Sequence, residues 1–115
     1  MSEKTVIDLD KVSFKMPIDD FFEDDDFIGG VLITGHIETG TIKPNSTVLI
    51  VDTIGNIKYS VEVNGIIYQG NLPIQKKELL DSASADQDDY WGIGLIFYDK
   101  EVLNHIEDGM LVIME

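Results

Sequence analysis

The run Ile57-Lys58-Tyr59-Ser60-Val61-Glu62-Val63-Asn64 alternates apolar and polar side chains along its length. That is the period-two pattern of a strand with one buried and one wet face. Immediately before it, Thr47 to Val51 reads as a second strand, and Thr53-Ile54-Gly55-Asn56 between them supplies residues that tolerate a tight turn, so the pair predicts a β-hairpin. Working outward, Val31-Leu32-Ile33 and Ile37 predict another strand, in which Gly35 marks a bulge or a close backbone approach and Gly40 a bend. Lys43-Pro44-Asn45-Ser46 turns the chain back toward the hairpin. Phe14, Met16 and Ile18 alternate with Lys15 and Pro17, and the proline places that strand at an edge or near its end. Residues 5 to 9 add a short strand.

The second half continues in the same style. Pro73 to Leu80 predicts one or two helical turns that lay Leu79 and Leu80 over the core, and Ser82 to Asp89 is a small, polar surface loop. Gly94 to Tyr98 resumes a strand, Asp99 caps a helical turn reaching Leu103, and Met110 to Met114 closes the fold. Phe14, Tyr59 and Phe97 fall on apolar positions and belong to the core. Short strands separated by Gly, Pro, Asn and Asp, with no long helical period, define an all-β barrel or sandwich.

Composition sets further bounds. A chain of 115 residues is the size of one domain and can bury enough surface to fold without metals or disulfides. We read 1–115 as that domain, with residues 1–12 as an N-terminal extension or extra strand. There is no cysteine, which removes thiolate chemistry and Cys-based zinc sites, and no apolar run long enough to span a bilayer. Acids interrupt the N-terminal apolar residues where a signal peptide needs continuity, so a cytoplasmic location is expected. Asp and Glu number 22 against 8 basic residues, all lysine, for a net charge of -14. Without arginine and with this excess of anions, nucleic acid is not the expected partner; a basic protein is.

Particular residues carry a resemblance. Phe14-Lys15-Met16-Pro17-Ile18-Asp19-Asp20-Phe21-Phe22 looks like the opening of the second domain of elongation factor Tu and related translational GTPases. Gly30-Val31-Leu32-Ile33-Thr34-Gly35-His36-Ile37-Glu38-Thr39-Gly40-Thr41-Ile42-Lys43 resembles that family's G-x-V-x-T-G-x-V-E-x-G-x-I-K segment. Gly94-Leu95-Ile96 and Ile106-Glu107-Asp108-Gly109-Met110-Leu111 resemble two later stretches, so the likeness covers about Phe14 to Met114. It implies a closed six-stranded Greek-key β-barrel with one or two short helical turns, standing alone from the nucleotide-binding part. The G-x-x-x-x-G-K-[ST] and Asn-Lys-x-Asp motifs of GTP hydrolysis do not occur in these residues, so no enzyme activity is expected.

In elongation factor Tu this domain helps hold the aminoacyl end of transfer RNA, and the resemblance puts Asp19, Asp20 and Phe22 at the acidic pair and phenylalanine of that pocket. The rest of the pocket departs from the pattern. Ile66 or Ile67 stands where the family has a glutamate, Gly70 or Lys77 where it has an arginine, and the asparagine is replaced near Tyr90.

Among candidate sites, Asp19, Asp20, Glu23, Asp24, Asp25 and Asp26 crowd six carboxylates into eight residues. They lack the spacing and glycine of a calcium loop, so they read as a solvated acidic loop or a contact for a basic protein. His36 and His105 have no partners in the sequence for a zinc shell, and no G-x-S-x-G elbow exists. No metal and no cofactor are expected. Of the aromatics beside loops, Tyr90 and Trp91 next to Asp86, Asp88 and Asp89 are the best placed to anchor an interface. The candidate binding residues are therefore Asp19, Asp20, Phe22, Asp24, Asp25, Asp26, Tyr90 and Trp91. The expected function is a non-catalytic, protein-binding module. The alternatives are an acidic antagonist of a basic protein and a translation accessory touching ribosome or transfer RNA.

Overall fold

A computed structural model describes residues 6–26, 28–68, 79–85 and 92–115. Its strands are β1 (Phe14–Asp24), β2 (Gly30–Gly35), β3 (Thr41–Ile42), β4 (Thr47–Val51), β5 (Ile57–Glu62), β6 (Gly65–Tyr68), β7 (Ala83–Ser84), β8 (Ile93–Phe97) and β9 (Leu111–Met114). A 3-10 helix occupies Lys100–His105, capped by the Asp99 side chain, which accepts from the Glu101 N–H, as the sequence predicted for that turn. Seven strands form one antiparallel sheet in the order β5-β4-β9-β1-β2-β8-β6, and β3 pairs with β7 as a separate ribbon.

The large sheet has seven strands where the resemblance implied six, and the reason lies in the alternating run from Ile57 to Asn64. The chain from Ile57 to Tyr68 changes partner midway: β5 pairs with β4, and β6 pairs with β8. Only Val63 and Asn64 lie between these strands, and they divide the ladder. The Val63 N–H donates to the Ser46 carbonyl at 2.9 Å, and the Asn64 N–H donates to the Ile96 carbonyl at 2.8 Å. The two ends of the sheet are thus consecutive pieces of chain.

β1 also serves two neighbours. Phe14 to Pro17 pairs with β9, and from Ile18 onward the strand pairs with β2, with a register shift between Ile18 and Asp20. Pro17 was expected at an edge or a strand end, yet it lies inside β1. The missing N–H is tolerated because Pro17 is the last residue in register with β9, where the strand changes partner. Gly35 makes the close approach foreseen for it: a Cβ there would collide with the Pro17 carbonyl. Gly40, at φ 85°, bends the chain against the carbonyl of Ser13.

Inside the sheet lies the main core, with Phe14, Met16, Ile33, Ile50, Leu95 and Phe97 among its fully buried members. Tyr59 packs against it while only partly buried. Outside the sheet are two smaller apolar clusters. Over β4 and β9, residues 6–12 lie across the outer face: Ile7 is buried with Val51 and Ile113, and Leu9 and Val12 pack beside them. Val6 bridges Asn56, and the Ile7 N–H donates to the Gly55 carbonyl at 2.8 Å, which fixes this segment to the hairpin turn. The other cluster, Leu32, Ile67 and Ile96, lies over β2, β8 and β6.

Two expectations for the second half change. Leu79 and Leu80 are not helical; Leu80 is drawn toward the core by its N–H donating to the Ile66 carbonyl, while Leu79 is exposed. Residues 73–78 lie outside the described residues. The small residues read as a surface loop include β7, whose Ala83 is buried against the core because its backbone finds a partner in β3. Residues 86–89 of that stretch are outside the described residues. No helix among the described residues is long and apolar enough to cross a membrane.

Candidate functional site

The outer face of β1, β2, β8 and β6 is built by alternation. After its bulge, β1 turns Phe21 toward the core, where it packs partly buried, so Asp20, Phe22 and Asp24 take the opposite face. Register then defines rows across the sheet. Phe22 stands opposite Leu32, Leu32 opposite Ile96, and Ile96 opposite Gly65. In the next row, Asp20 faces Thr34, Thr34 faces Gly94, and Gly94 faces Ile67. Gly94 is small for a reason: a Cβ there would stand 2.9 Å from Leu32 Cδ1 and 3.2 Å from Ile67 Cγ1, so the glycine lets those side chains meet above it. Thr34, fully buried, donates its hydroxyl to the Asp20 carbonyl at 3.3 Å.

The result is a dry floor with a wet rim. Leu32 and Ile67 are 0% exposed and Ile96 5%, whereas Phe22 is 41%, Tyr98 60% and Leu79 62% exposed. Leu79 Cδ2 lies 3.5 Å from where a Gly65 Cβ would sit, beside Ile96. Tyr98 follows the core residue Phe97, and its N–H donates to Asn64 Oδ1 at 2.9 Å.

The acidic run does not act as one cluster. Asp20 Oδ1 accepts from the Phe21 N–H at 2.8 Å and Asp24 Oδ1 from the Asp26 N–H at 3.1 Å; these carboxylates flank Phe22 along the strand. Lys100 draws Glu23 and Asp25 to itself, with Nζ 3.0 Å from Glu23 Oε2 and 2.5 Å from Asp25 Oδ1. Its hydrogen bond holds the Asp25 carboxyl below the usual range, and the same bond, with that of Glu23, raises the Lys100 ammonium. Asp19 at the bulge and Asp26 after the strand are exposed. Of the residues singled out in the sequence, Asp20, Phe22 and Asp24 therefore share one face, and Asp25 is committed to Lys100. Tyr90 and Trp91 lie outside the described residues. Tyr98 and Lys100 were not singled out, and Leu79 was expected over the core, not exposed beside this face. Alternation from Phe97 carried the signal for Tyr98; nothing local announced the other two.

A second polar group ties the 3-10 helix to β5. The Tyr59 ring stacks on His105 with centroids 4.4 Å apart and an interplanar angle of 8°, and its hydroxyl donates to Asp99 Oδ2 at 2.5 Å. That bond pushes the Tyr59 hydroxyl up to about 12. Glu101 Oε2 lies 3.4 Å from His105 Nε2. These groups satisfy one another and hold the helix in place. Among the described residues, no group of three or more His, Cys, Asp and Glu side chains is placed to hold a metal ion. Of the two residues that could stand at the family's glutamate, Ile66 enters the core and Ile67 the outer floor.

Comparison with known proteins agrees with this architecture. No protein-family model matches the chain, and no curated protein matches it. Solved structures do. Sup35 complexed with GDP is similar over 88% of this chain at 24% identity and a TM-score of 0.60, and Sup35 complexed with GMPPNP over 90% at 24% identity and 0.61. Translation elongation factor SelB from Methanococcus maripaludis, in its apo form, is similar over 91% at 22% identity and a TM-score of 0.65. The chain spans only 20%, 21% and 19% of those chains, respectively. The fold is therefore that of a domain-sized part of translation GTPases, and it fits a domain 2-like module of the elongation factor Tu kind.

Proposed function

We propose that this chain is a non-catalytic module of the translation-factor domain 2 type that binds another protein through the outer face of β1, β2, β8 and β6. In this reading the sheet closes into a barrel through Val63 and Asn64, the 115 residues make one such unit, and residues 1–12 are an N-terminal extension, of which 6–12 lie along the sheet. The observation that carries the reading is the pairing of a desolvated floor with half-exposed Phe22, Leu79 and Tyr98, the arrangement of an interface anchor before its partner arrives. Affinity capture with the wild-type chain should yield a saturable protein partner that Phe22→Ser combined with Tyr98→Ser no longer retains. Retention unchanged by the double variant would overturn the reading.

The net charge of -14 favours a second reading, an acidic antagonist that occupies the cationic surface of a basic protein. Its association would slow steeply with salt, because screening acts over about 8 Å at physiological ionic strength. A rate indifferent to salt argues for the first reading. Titration with aminoacylated and bare transfer RNA at low salt tests whether a translation contact is involved instead.

A further inference from the structure

We propose that the Asp108-Gly109 turn is a site of spontaneous covalent modification, where the folded chain passes through a succinimide to isoaspartate, and that the fold withholds the same ring closure from Asn64-Gly65. An Asp or Asn side chain can be attacked by the backbone nitrogen that follows it, and glycine hinders this least because it has no Cβ. The chain contains one Asp-Gly pair and one Asn-Gly pair. In an unstructured peptide the amide is the more reactive of the two, so sequence alone points to Asn64. The structure reverses that order. Glu107, Asp108 and Gly109 are all exposed, in the turn that leads from the 3-10 helix into β9. Gly109 sits at φ 87°, and nothing beyond its chain neighbours lies within 4 Å of where a Cβ would stand. Neither its N–H nor the Asp108 carboxylate has a hydrogen-bond partner among the described residues. Asn64 is held instead: its N–H donates to the Ile96 carbonyl at 2.8 Å, and its Oδ1 accepts the Tyr98 N–H at 2.9 Å. Gly65 is buried in β6, in register with Ile96. The Tyr98 bond has to break and the strand has to open before the Gly65 nitrogen reaches Asn64 Cγ.

At Asp108 the Gly109 nitrogen attacks Cγ of the protonated carboxyl group. The new N–Cγ bond closes a five-membered ring, and the proton of the nitrogen leaves with the carboxyl hydroxyl as water. Water then adds to one of the two ring carbonyls. Opening the N–Cγ bond returns aspartate; opening the bond from nitrogen to the main-chain carbonyl carbon gives isoaspartate, whose backbone is longer by one atom. At Asn64 the molecule lost on ring closure is ammonia. The added atom falls in a turn that delivers β9. The Met110 carbonyl accepts the Ile18 N–H at 3.0 Å, beside the point where β1 changes partner, and Met110 Sδ accepts the Glu107 N–H at 3.4 Å. Leu111, the next residue, is in register with both Pro17 and Val51. Isoaspartate at position 108 therefore loosens the start of β9.

The test compares identical dipeptides within one full-length molecule. In the folded Asp108→Asn chain, position 108 should deamidate at least about tenfold faster than Asn64 at neutral pH, the factor that a hydrogen bond and the opening of a strand supply. Peptide mapping by mass spectrometry reads both sites. In denaturing urea the gap should close. Equal rates in the folded chain, or a gap that persists in urea, overturns the assignment of the difference to the fold. The wild-type chain supplies a measurement that needs no variant to fold. Aged under native conditions, it should gain isoaspartate at position 108, counted with an isoaspartate-specific methyltransferase and located by peptide mapping. Asp108→Glu, which cannot close the five-membered ring, should gain none there. No isoaspartate at position 108 in the aged wild type, when Asn64 has been consumed over the same time in urea, overturns the proposal. The aged wild type should also unfold at a lower urea concentration than the fresh protein, and aged Asp108→Glu should not shift. Equal shifts in the two would overturn the effect on β9.

Discussion

The two outer faces of the sheet have similar chemistry and different fates. Over β4 and β9, Val51 and Ile113 are sealed by residues 6–12, and the exposed apolar side chains there, Val6 at 45% and Ile54 at 70%, are confined to the margin near the hairpin turn. Over β2, β8 and β6, the floor is equally buried, yet Phe22, Leu79 and Tyr98 surround it with exposed apolar surface. The difference lies in connectivity. One face has residues 6–12 laid across it and tied by the Ile7 N–H to the Gly55 carbonyl; on the other, Ile28 packs on the floor and the Leu80 N–H donates to the Ile66 carbonyl, while Phe22, Leu79 and Tyr98 stay exposed. An apolar stripe on the outside of a sheet therefore says little alone; what matters is which backbone is tied across it.

That contrast can be broken by mutation. Ile113→Ala, in the sealed face, should cost about 2–4 kcal/mol in urea unfolding, through lost burial and the cavity left behind. A loss under about 1 kcal/mol would mean the site is not packed as described. Ile7→Ala should cost somewhat less, about 2 kcal/mol, and should raise the fluorescence of an apolar dye as the cover loosens. Unchanged dye binding would show that residues 6–12 do not shield the face. Phe22→Ser, on the open face, should change stability by no more than about 1 kcal/mol while abolishing partner capture. A large loss of stability there would make Phe22 a core residue.

The smallest effect is one of pH, at the turn that receives Ile7. Asp52 Oδ1 accepts the backbone N–H groups of Ile54, Gly55 and Asn56, and Oδ2 accepts the Asn56 amide. The Asn56 side chain, then these backbone bonds, hold the carboxyl down at about 2 against an ordinary 3.8. A depressed carboxylate contributes stability above its unfolded value, and that contribution fades as pH falls from about 3.8 to about 2. Asp52→Asn should flatten the stability curve in that window. An unaltered slope would place the acid sensitivity elsewhere.

Much of the fold was legible because its signals are local. The alternation from Ile57 to Asn64, the turn residues after Val51 and the need for glycine at positions 35 and 40 each declare a backbone geometry. Pairings between distant segments were not legible. Nothing near Ala83 announces that β3 will receive it, and Pro17 gives no sign that β1 exchanges partners beside it. The candidate site was half visible. Phe22 and its acids stood out as a dense cluster, but the removal of Asp25 by Lys100 depends on residues 75 positions apart. Tyr98 could have been found by counting one residue on from Phe97.

The joint at Val63 and Asn64 has a further consequence. Two residues leave no slack between β5 and β6, so a sliding error of β5 along β4 would drag β6 along β8 as well. Since a one-residue slip turns every side chain to the wrong side, the spacer acts as a shared vernier: alignment set in one half of the molecule is imposed on the other.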